Sequence, residues 1–260
     1  MASSPASTNP RVAALYRYPV KGLSGERLPT VGLGVGQTFP MDRAFALENG
    51  PSGFNAAAPA WQPKIKFLCL MQNARLAALT TRYDDNTGVL AIAKDGRTLV
   101  EASLDESEGR AAIERFFENY MGGERRGKIR LLAAPGHSFS DLARKVVSVV
   151  NLESLADLGR SLGRELHPLR FRANLYVRGL APWAEFDLIG KTLAIGSARL
   201  RVLKTTTRCA ATEVNPESAE RDIDVPEELW RLRNAADCGI YAEVTDAGTI
   251  AEGDPVALAG

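Results

Sequence analysis

The chemistry in this sequence concentrates in two short stretches. In "VLKTTTRCAATEVNP", residues 202–216, Cys209 follows an arginine and three threonines at the end of a strand-like run. A thiolate beside a cation is favoured, because the free thiol pKa of about 8.5 falls in electropositive surroundings. Such a thiolate is a nucleophile or a soft metal ligand, whereas the default for a lone cysteine is a small buried hydrophobe. The second stretch is "HPLRFRANLYVRG", residues 167–179. Read as a strand, it points Phe171, Ala173, Leu175 and Val177 one way and Arg172, Asn174 and Tyr176 the other. A guanidinium and an amide side by side can hold an anion or a polar ring edge. A solvated polar face is the ordinary alternative.

Other signals carry less. "GLGVG", Gly32–Gly36, lacks the spacing of a dinucleotide loop and opens no helix, so turn or bulge glycines are expected. His137 and His167 are the only histidines and lie thirty positions apart, which makes a histidine metal site a poor fit and surface loops the expectation. "GHSFSD" has no nucleophile-elbow context. Cys69, Cys209 and Cys238 are odd in number, widely spaced and without C-x-x-C, which argues against a disulfide framework, a zinc ribbon or an iron–sulfur cluster and for a reducing cytosol. Cys69, in the apolar run "KFLCLM", and Cys238, before a glycine, are expected not to be ligands. With net charge +1 there is no global field for nucleic acid or an acidic membrane.

The elements that must position these residues read as mostly strands. "RVAALYRYPVKG", "QTFPMDRAFALENG", "KIKFLCLM", "ARLAALTTRY", "VLAIA" and "TLVEA" are β-compatible, with "DDNTG" and "KDG" as turns. "EGRAAIERFFENYMGG" predicts a helix with Ile113, Phe116, Phe117 and Tyr120 on one face, stopped by Gly122–Gly123. In the second half "KVVSVV" predicts a buried strand, and Asn151 a cap for the helix "LESLADLGRSL" with Leu152, Leu155, Leu158 and Leu162 as its stripe. Strands over "RFRANLYVRG", "KTLAIG" and "ARLRVLKTTTRC" follow, then a short helix over "DVPEELWRLR" with Asp224 and Glu227 at capping-box spacing. "GIYAEVTDAGTIAEGDPVAL" is expected to close as a hairpin. The domains expected are a frayed tail at 1–10 ("MASSPASTNP", without signal-peptide character), a β-barrel at 11–125 and a second at 126–260. No apolar run approaches membrane-spanning length. The fold class is mainly β with a few helices (α+β).

The run "RFRANLYV…PWAEFDLIGKTLAIGSARLRVLKTTTRCAATEVNP…GDPV" resembles the MOSC domain, named for the C-terminal domain of molybdenum cofactor sulfurases, with its F-R-x-N strand, T-R-C motif and terminal G-D-x-V. "YPVKGLSGE…GQTFPMDRAFAL" resembles the β-barrel domain that precedes MOSC in the mitochondrial amidoxime reducing component and its bacterial relatives. This resemblance implies a molybdenum cofactor (Mo-molybdopterin), with Cys209 as catalytic residue and metal ligand and the pterin dithiolene supplying two further sulfurs. It implies cofactor contacts from Arg172, Asn174, Arg208, Lys21 and Arg43. Gly22 stands where the reductases commonly have Ser, and Arg144–Lys145 where they have Thr–Ser. Those two cations either hold the pterin phosphate or are surface charges. "NGPSGFNAAAPAW" replaces the usual loop carrying T-x-R-x-x-P.

The implied activity is reduction of small N-hydroxylated substrates to amines. No nicotinamide, flavin or iron–sulfur motif is present, so electrons are expected from a separate reductase of flavin, iron–sulfur or haem type. No nucleic acid or membrane partner is expected, and the expected location is cytoplasmic. The alternatives are a cofactor carrier without turnover and a thiol or persulfide carrier that uses Cys209 without metal.

Overall fold

A computed structural model describes residues 9–259. The chain opens with β1 (Arg11–Arg17), β2 (Glu26–Leu28), β3 (Thr30–Leu33) and β4 (Phe45–Asn49). A meander follows, β5 (Thr80–Asp84), β6 (Val89–Lys94) and β7 (Arg97–Ser103), then α1 (Ser107–Met121) and β8 (Ile129–Ala133). The remainder runs β9 (Val147–Asn151), α2 (Leu152–Ser161), β10 (Leu175–Arg178), β11 (Thr192–Ile195), β12 (Ala198–Thr207), α3 (Val225–Arg233), β13 (Asp237–Asp246), β14 (Gly248–Ala251) and β15 (Val256–Leu258). The protein is mainly β, as expected. Of the anticipated tail, residues 1–8 lie outside the described residues, while the Pro10 carbonyl accepts from the Val256 amide.

The main sheet has eight strands in the order β15-β11-β12-β13-β9-β10-β1-β2. β9 and β10 are parallel, joined through α2, because adjacent parallel strands need a crossover. β1 lies antiparallel to β10, and β14 to β3, so strands from the first quarter of the chain complete sheets with strands from its last third. The largest core cluster follows suit. Val12, Leu15, Val31 and Phe39 pack with Val149, Leu200, Ile240 and Val244. A second core gathers β4, the β5–β7 meander and α1 around Leu47, Leu90, Ile113 and Phe117, with Val214 added from the far half.

The helices form where periodicity and caps place them. Ile113 and Phe117 of α1 are buried, Phe116 and Tyr120 pack at the core's edge, and Gly122 ends the helix at φ 51°. The Asn151 side chain accepts from Glu153 N–H at the start of α2, and Asp224 accepts from Glu227 N–H at α3.

Four local expectations are corrected. "KIKFLCLM" is a 3-10 turn, Lys64–Lys66, followed by a single bridge from Phe67 to Glu48. Phe67, Leu68 and Leu70 are all buried there, so the segment threads the interior and cannot alternate as a strand does. "ARLAALTTRY" begins as a 3-10 helix, Ala74–Ala78, as its Ala and Leu content favours, and becomes a strand only at Thr80. "RFRANLYVRG" is a strand only from Leu175. Pro168–Phe171 form a 3-10 turn capped by Arg172 in the left-handed region, which cancels the alternation drawn through Arg172 and Asn174. The C-terminal "hairpin" is instead three strands with separate partners: β13 beside β12 and β9, β14 beside β3, and β15 beside β11. Gly248 permits that parting, since a Cβ there would meet Ser197 backbone at 2.5 Å.

Because β1 sits inside the core that both halves share, Leu15→Ala is expected to destabilise the whole molecule by about 2–5 kcal/mol. Chemical denaturation followed by fluorescence and by far-UV circular dichroism should give one coincident transition. Separate transitions would show that the halves fold independently.

Candidate functional site

Residues from several strand ends of the main sheet meet in one cleft. β1 leaves the sheet there towards Lys21, β9 enters near Ser148, Asn174 precedes β10, and Thr206 to Cys209 end β12. Lys21, Arg43, Arg172, Asn174, Arg208 and Cys209, all singled out in the sequence, line this one cleft. Arg144 and Lys145 do not. Arg144 pairs with Glu243 on the surface, and Lys145 Nζ donates to Gln37 Oε1 at 2.5 Å. The charged residue of that segment that lines the cleft is Asp141.

Cys209 is half-buried and starts a 3-10 turn, Ala210–Glu213. Its carbonyl accepts from both the amide and the hydroxyl of Thr212, each at 2.9 Å. Two arginines fasten the turn. Arg170 donates to the Glu213 carbonyl at 2.9 Å and to Asp222. Arg221 donates to the Ala210 carbonyl at 2.5 Å and, across the cleft, to the carbonyls of Leu70 and Met71 at 2.9 and 2.7 Å. The thiol is therefore carried on a rigid strap between the two halves of the chain.

The cation against the sulfur is not Arg208. That guanidinium donates inward, to the carbonyls of Cys238 and Phe171, and its fork docks beside Gly239 at φ +78°. Lys64 Nζ instead lies 3.3 Å from Cys209 Sγ and 3.1 Å from Asp141. Asp141 is shared with Lys21, whose Nζ lies 2.7 Å away and also donates to the Phe139 carbonyl. Burial works to raise the Asp141 pKa, but the two lysines outweigh it and hold the carboxyl well below its ordinary range. Burial likewise works to lower Lys64, and Asp141 with Cys209 overcomes it, so Lys64 keeps its proton more firmly than a free lysine. Both residues were missed in the sequence: Lys64 because its segment reads as a strand, Asp141 because "GHSFSD" draws attention only as a nucleophile.

Deeper in, Arg43 and Arg172 share one aromatic ring, at 4.3 and 4.4 Å from the Tyr18 centroid. Arg43 is neutralised by both oxygens of Asp42 at 2.6 Å and donates to the Arg172 carbonyl. Arg172 has no acidic partner among the described residues, and its side chain makes no hydrogen bond to protein. Burial and the neighbouring Arg43 charge lower its pKa to about 10. A half-buried guanidinium in that position is stabilised by whatever anion enters the cleft. The Thr206 hydroxyl, also on the cleft wall, is buried without a partner. Asn174 is already engaged, accepting from the amide and hydroxyl of Ser148 and donating to the Tyr16 carbonyl, so its amide ties strand ends together. The cleft interior measures about 130 Å³, and Lys21, Asp141 and Lys64 form a bridged set in its lining.

Family models match along the chain: the MOSC N-terminal beta barrel domain over residues 9–127 and the MOSC domain over 119–257. The chain belongs to the MOSC family. Among curated relatives of this MOSC chain, mitochondrial amidoxime-reducing component 1 of Mus musculus is 32% identical over 124 residues, 43% of this chain and 36% of that protein. The same component of Homo sapiens is 27% identical over 158 residues, 55% of this chain and 46% of that protein. Molybdenum cofactor sulfurase of Caenorhabditis elegans is 24% identical over 251 residues, 92% of this chain and 34% of that protein. The MOSC chain thus spans between about a third and a half of the length of these relatives. Among its described residues no helix is long and apolar enough to cross a membrane.

The departure at Gly22 has a local cause. Its φ is +84°, and a Cβ there would stand 2.7 Å from the Leu68 carbonyl oxygen, so this backbone has no room for a serine.

The three thiols differ in setting. Burial raises the Cys69 pKa and pushes Cys238 up to about 12, whereas Cys209 is half-exposed in the cleft. At neutral pH a thiol-specific disulfide reagent should therefore modify one cysteine quickly and the others only on unfolding. Cys209→Ser should abolish the fast phase, and a fast phase that persists in that variant would show that the cleft thiol is not the accessible one.

Proposed function

We propose that this MOSC chain is a molybdenum-cofactor-dependent oxidoreductase. It would reduce small N-hydroxylated compounds, amidoximes and hydroxylaminopurines among them, to amines, taking electrons from a separate reductase of flavin, iron–sulfur or haem type. The observation that carries the reading is the convergence of Cys209 with Lys21, Arg43, Lys64 and Arg172 in one cleft. Three free cysteines suit a reducing compartment such as the cytoplasm.

The residues present fit the cofactor. Among the described residues no group of three or more His, Cys, Asp or Glu side chains could hold a metal ion. A pterin dithiolene brings two sulfurs of its own, so a single protein thiolate, Cys209, is enough. The unpartnered Arg172 fork and the unpartnered Thr206 hydroxyl suit an anionic and polar ligand. Small-molecule sites run to about 300–1,000 Å³, so the cofactor's entry would require lining side chains to move, and Lys64 is part-exposed on its 3-10 turn.

When bound, molybdenum supplies two-electron transfer and a Lewis-acid position for the N–OH oxygen. The chain's residues do the rest. Cys209 on its strapped turn fixes the metal's place. Arg172 and Lys21 orient the anionic part of the cofactor, as positioned groups must for efficient transfer. Lys64, whose raised pKa makes it a poor acid at neutral pH, acts as a fixed positive charge beside the sulfur. The net reaction consumes two electrons and two protons and releases the hydroxyl oxygen as water.

A second reading is a carrier of the cofactor, or of sulfur on Cys209. The observation favouring it is that the alignment with a molybdenum cofactor sulfurase extends over 92% of the chain.

Protein made in a cofactor-competent host is expected to contain stoichiometric molybdenum by elemental analysis. Cys209→Ser should lose the thiolate charge-transfer bands. Arg172→Lys should keep the fold but retain less cofactor, because an ammonium cannot reproduce the planar fork. Equal cofactor content in the Arg172→Lys variant would remove Arg172 from the binding site.

With reduced viologen as donor, metal-replete protein should convert an amidoxime or a hydroxylaminopurine to the amine, and NADH alone should give no turnover. Failure on every N-hydroxylated substrate, combined with transfer of the cofactor to an apo-enzyme, would establish the carrier reading instead.

A further inference from the structure

Three sequence features that the cofactor cleft leaves unused meet in one place. Gly32 and Gly34 of "GLGVG", His137 and Lys145 all line a second pocket of about 550 Å³, within the range of small-molecule sites. It shares one lining residue with the first cleft, Asp42. Its walls are chiefly apolar, with Phe39, Pro40, Met41 and Pro135 among them.

The polar groups of this pocket are few and of one sign. Lys145 Nζ donates to the Gln37 amide oxygen and, among the described residues, has no carboxylate partner. Asp42 presents no free negative charge, since its oxygens accept from Arg43 and from the Tyr18 amide. The Ser138 hydroxyl is occupied in donating to the Asp42 carbonyl. The His137 ring packs on Phe54 and Phe139. Burial and the nearby Lys145 charge lower its pKa, so the imidazole adds no second cation at neutral pH. One ammonium without an arginine fork or a helix N-terminus matches a single negative charge, and a phosphate would call for more donors.

We propose that this pocket binds a small organic monocarboxylate with an apolar body, its carboxylate on Lys145 and its hydrocarbon part against Phe39, Pro40, Met41 and Pro135. A Cβ built at Gly32, a lining residue, meets no atom within 4 Å, so the backbone there accepts a larger side chain at the pocket's edge. The floor is unusual as well. Met41 and Arg43 both lie in the left-handed region, at φ 61° and 52°, and flank the shared Asp42. Backbone strain of this kind clusters at ligand sites. The inference does not depend on the proposed molybdenum chemistry.

The test is titration of the full, isotopically labelled chain with octanoate and, separately, with uncharged 1-octanol, followed by amide NMR shifts. Octanoate should saturate with a Kd of about 1 mM or tighter, a range open to a ligand of this size. Its shifts should centre on Gly34, Gln37, Met41 and Gly136, and octanol should bind about ten-fold more weakly. Lys145→Gln should weaken octanoate by about ten-fold and leave octanol unchanged, while Gly32→Leu, its fold checked by circular dichroism, should block both. Absence of saturable octanoate shifts in the wild-type chain overturns the proposal. So does octanoate binding that is unchanged in both variants.

Discussion

An imbalance of charge governs this molecule. The cleft brings Lys21, Arg43, Lys64 and Arg172 around two carboxylates, Asp42 and Asp141. Asp42 is committed to Arg43, and Asp141 is divided between the two lysines. Arg172 is left to share the Tyr18 ring with another cation while partly withdrawn from water, and its lowered pKa registers the cost. Holding like charges together requires a backbone that cannot relax away from them. Met41, Arg43 and Arg172 all sit in the left-handed region, which disfavours side chains other than glycine.

That rigidity comes from the way the halves interlock. β1 is an interior strand of the main sheet, held between β10 and β2, and β3 is tied to β14 near the C-terminus. Lys21 and Arg43 are thereby delivered to the same cleft as Arg172 and Cys209. Arg221 adds the cross-link, with one guanidinium bonded to the Cys209 turn and to the Leu70–Met71 backbone. Strands from both halves in the main sheet and its core hold in place the backbone that carries these cations.

Much of the fold was legible from short-range rules. The three helices, the Asn151 and Asp224 caps, the meander and the mainly β class all follow from periodicity, turn residues and capping. Misreadings occurred where burial and strandness separate. "KIKFLCLM" is apolar because it runs through the core, not because it pairs, and "FRAN" looks extended although Arg172 must reverse the chain. Strand pairing crosses the connection at residues 125–126, where β8 pairs with β4 and β1 with β10.

Of the candidate site, the sequence by itself determined the chemistry available: the cysteine of a T-R-C motif, the F-R-x-N arginine, and the lysine and arginine of "YPVKG" and "MDR". Only the tertiary structure decided which of these face one another and which are already engaged. Lys64 meets Cys209 across 145 positions, Lys21 meets Asp141 across 120, and Asn174 reaches Tyr16 across 158. Contacts of that span are created by strand pairing and by loops that meet at the cleft, and residue spacing reports only on neighbours within a turn or a strand. For the same reason Arg208, beside the cysteine in sequence, turns inward to carbonyls, and Arg144 and Lys145 leave the cleft. A side chain's direction is set by the strand or turn that carries it, and its partner by what the rest of the fold brings opposite.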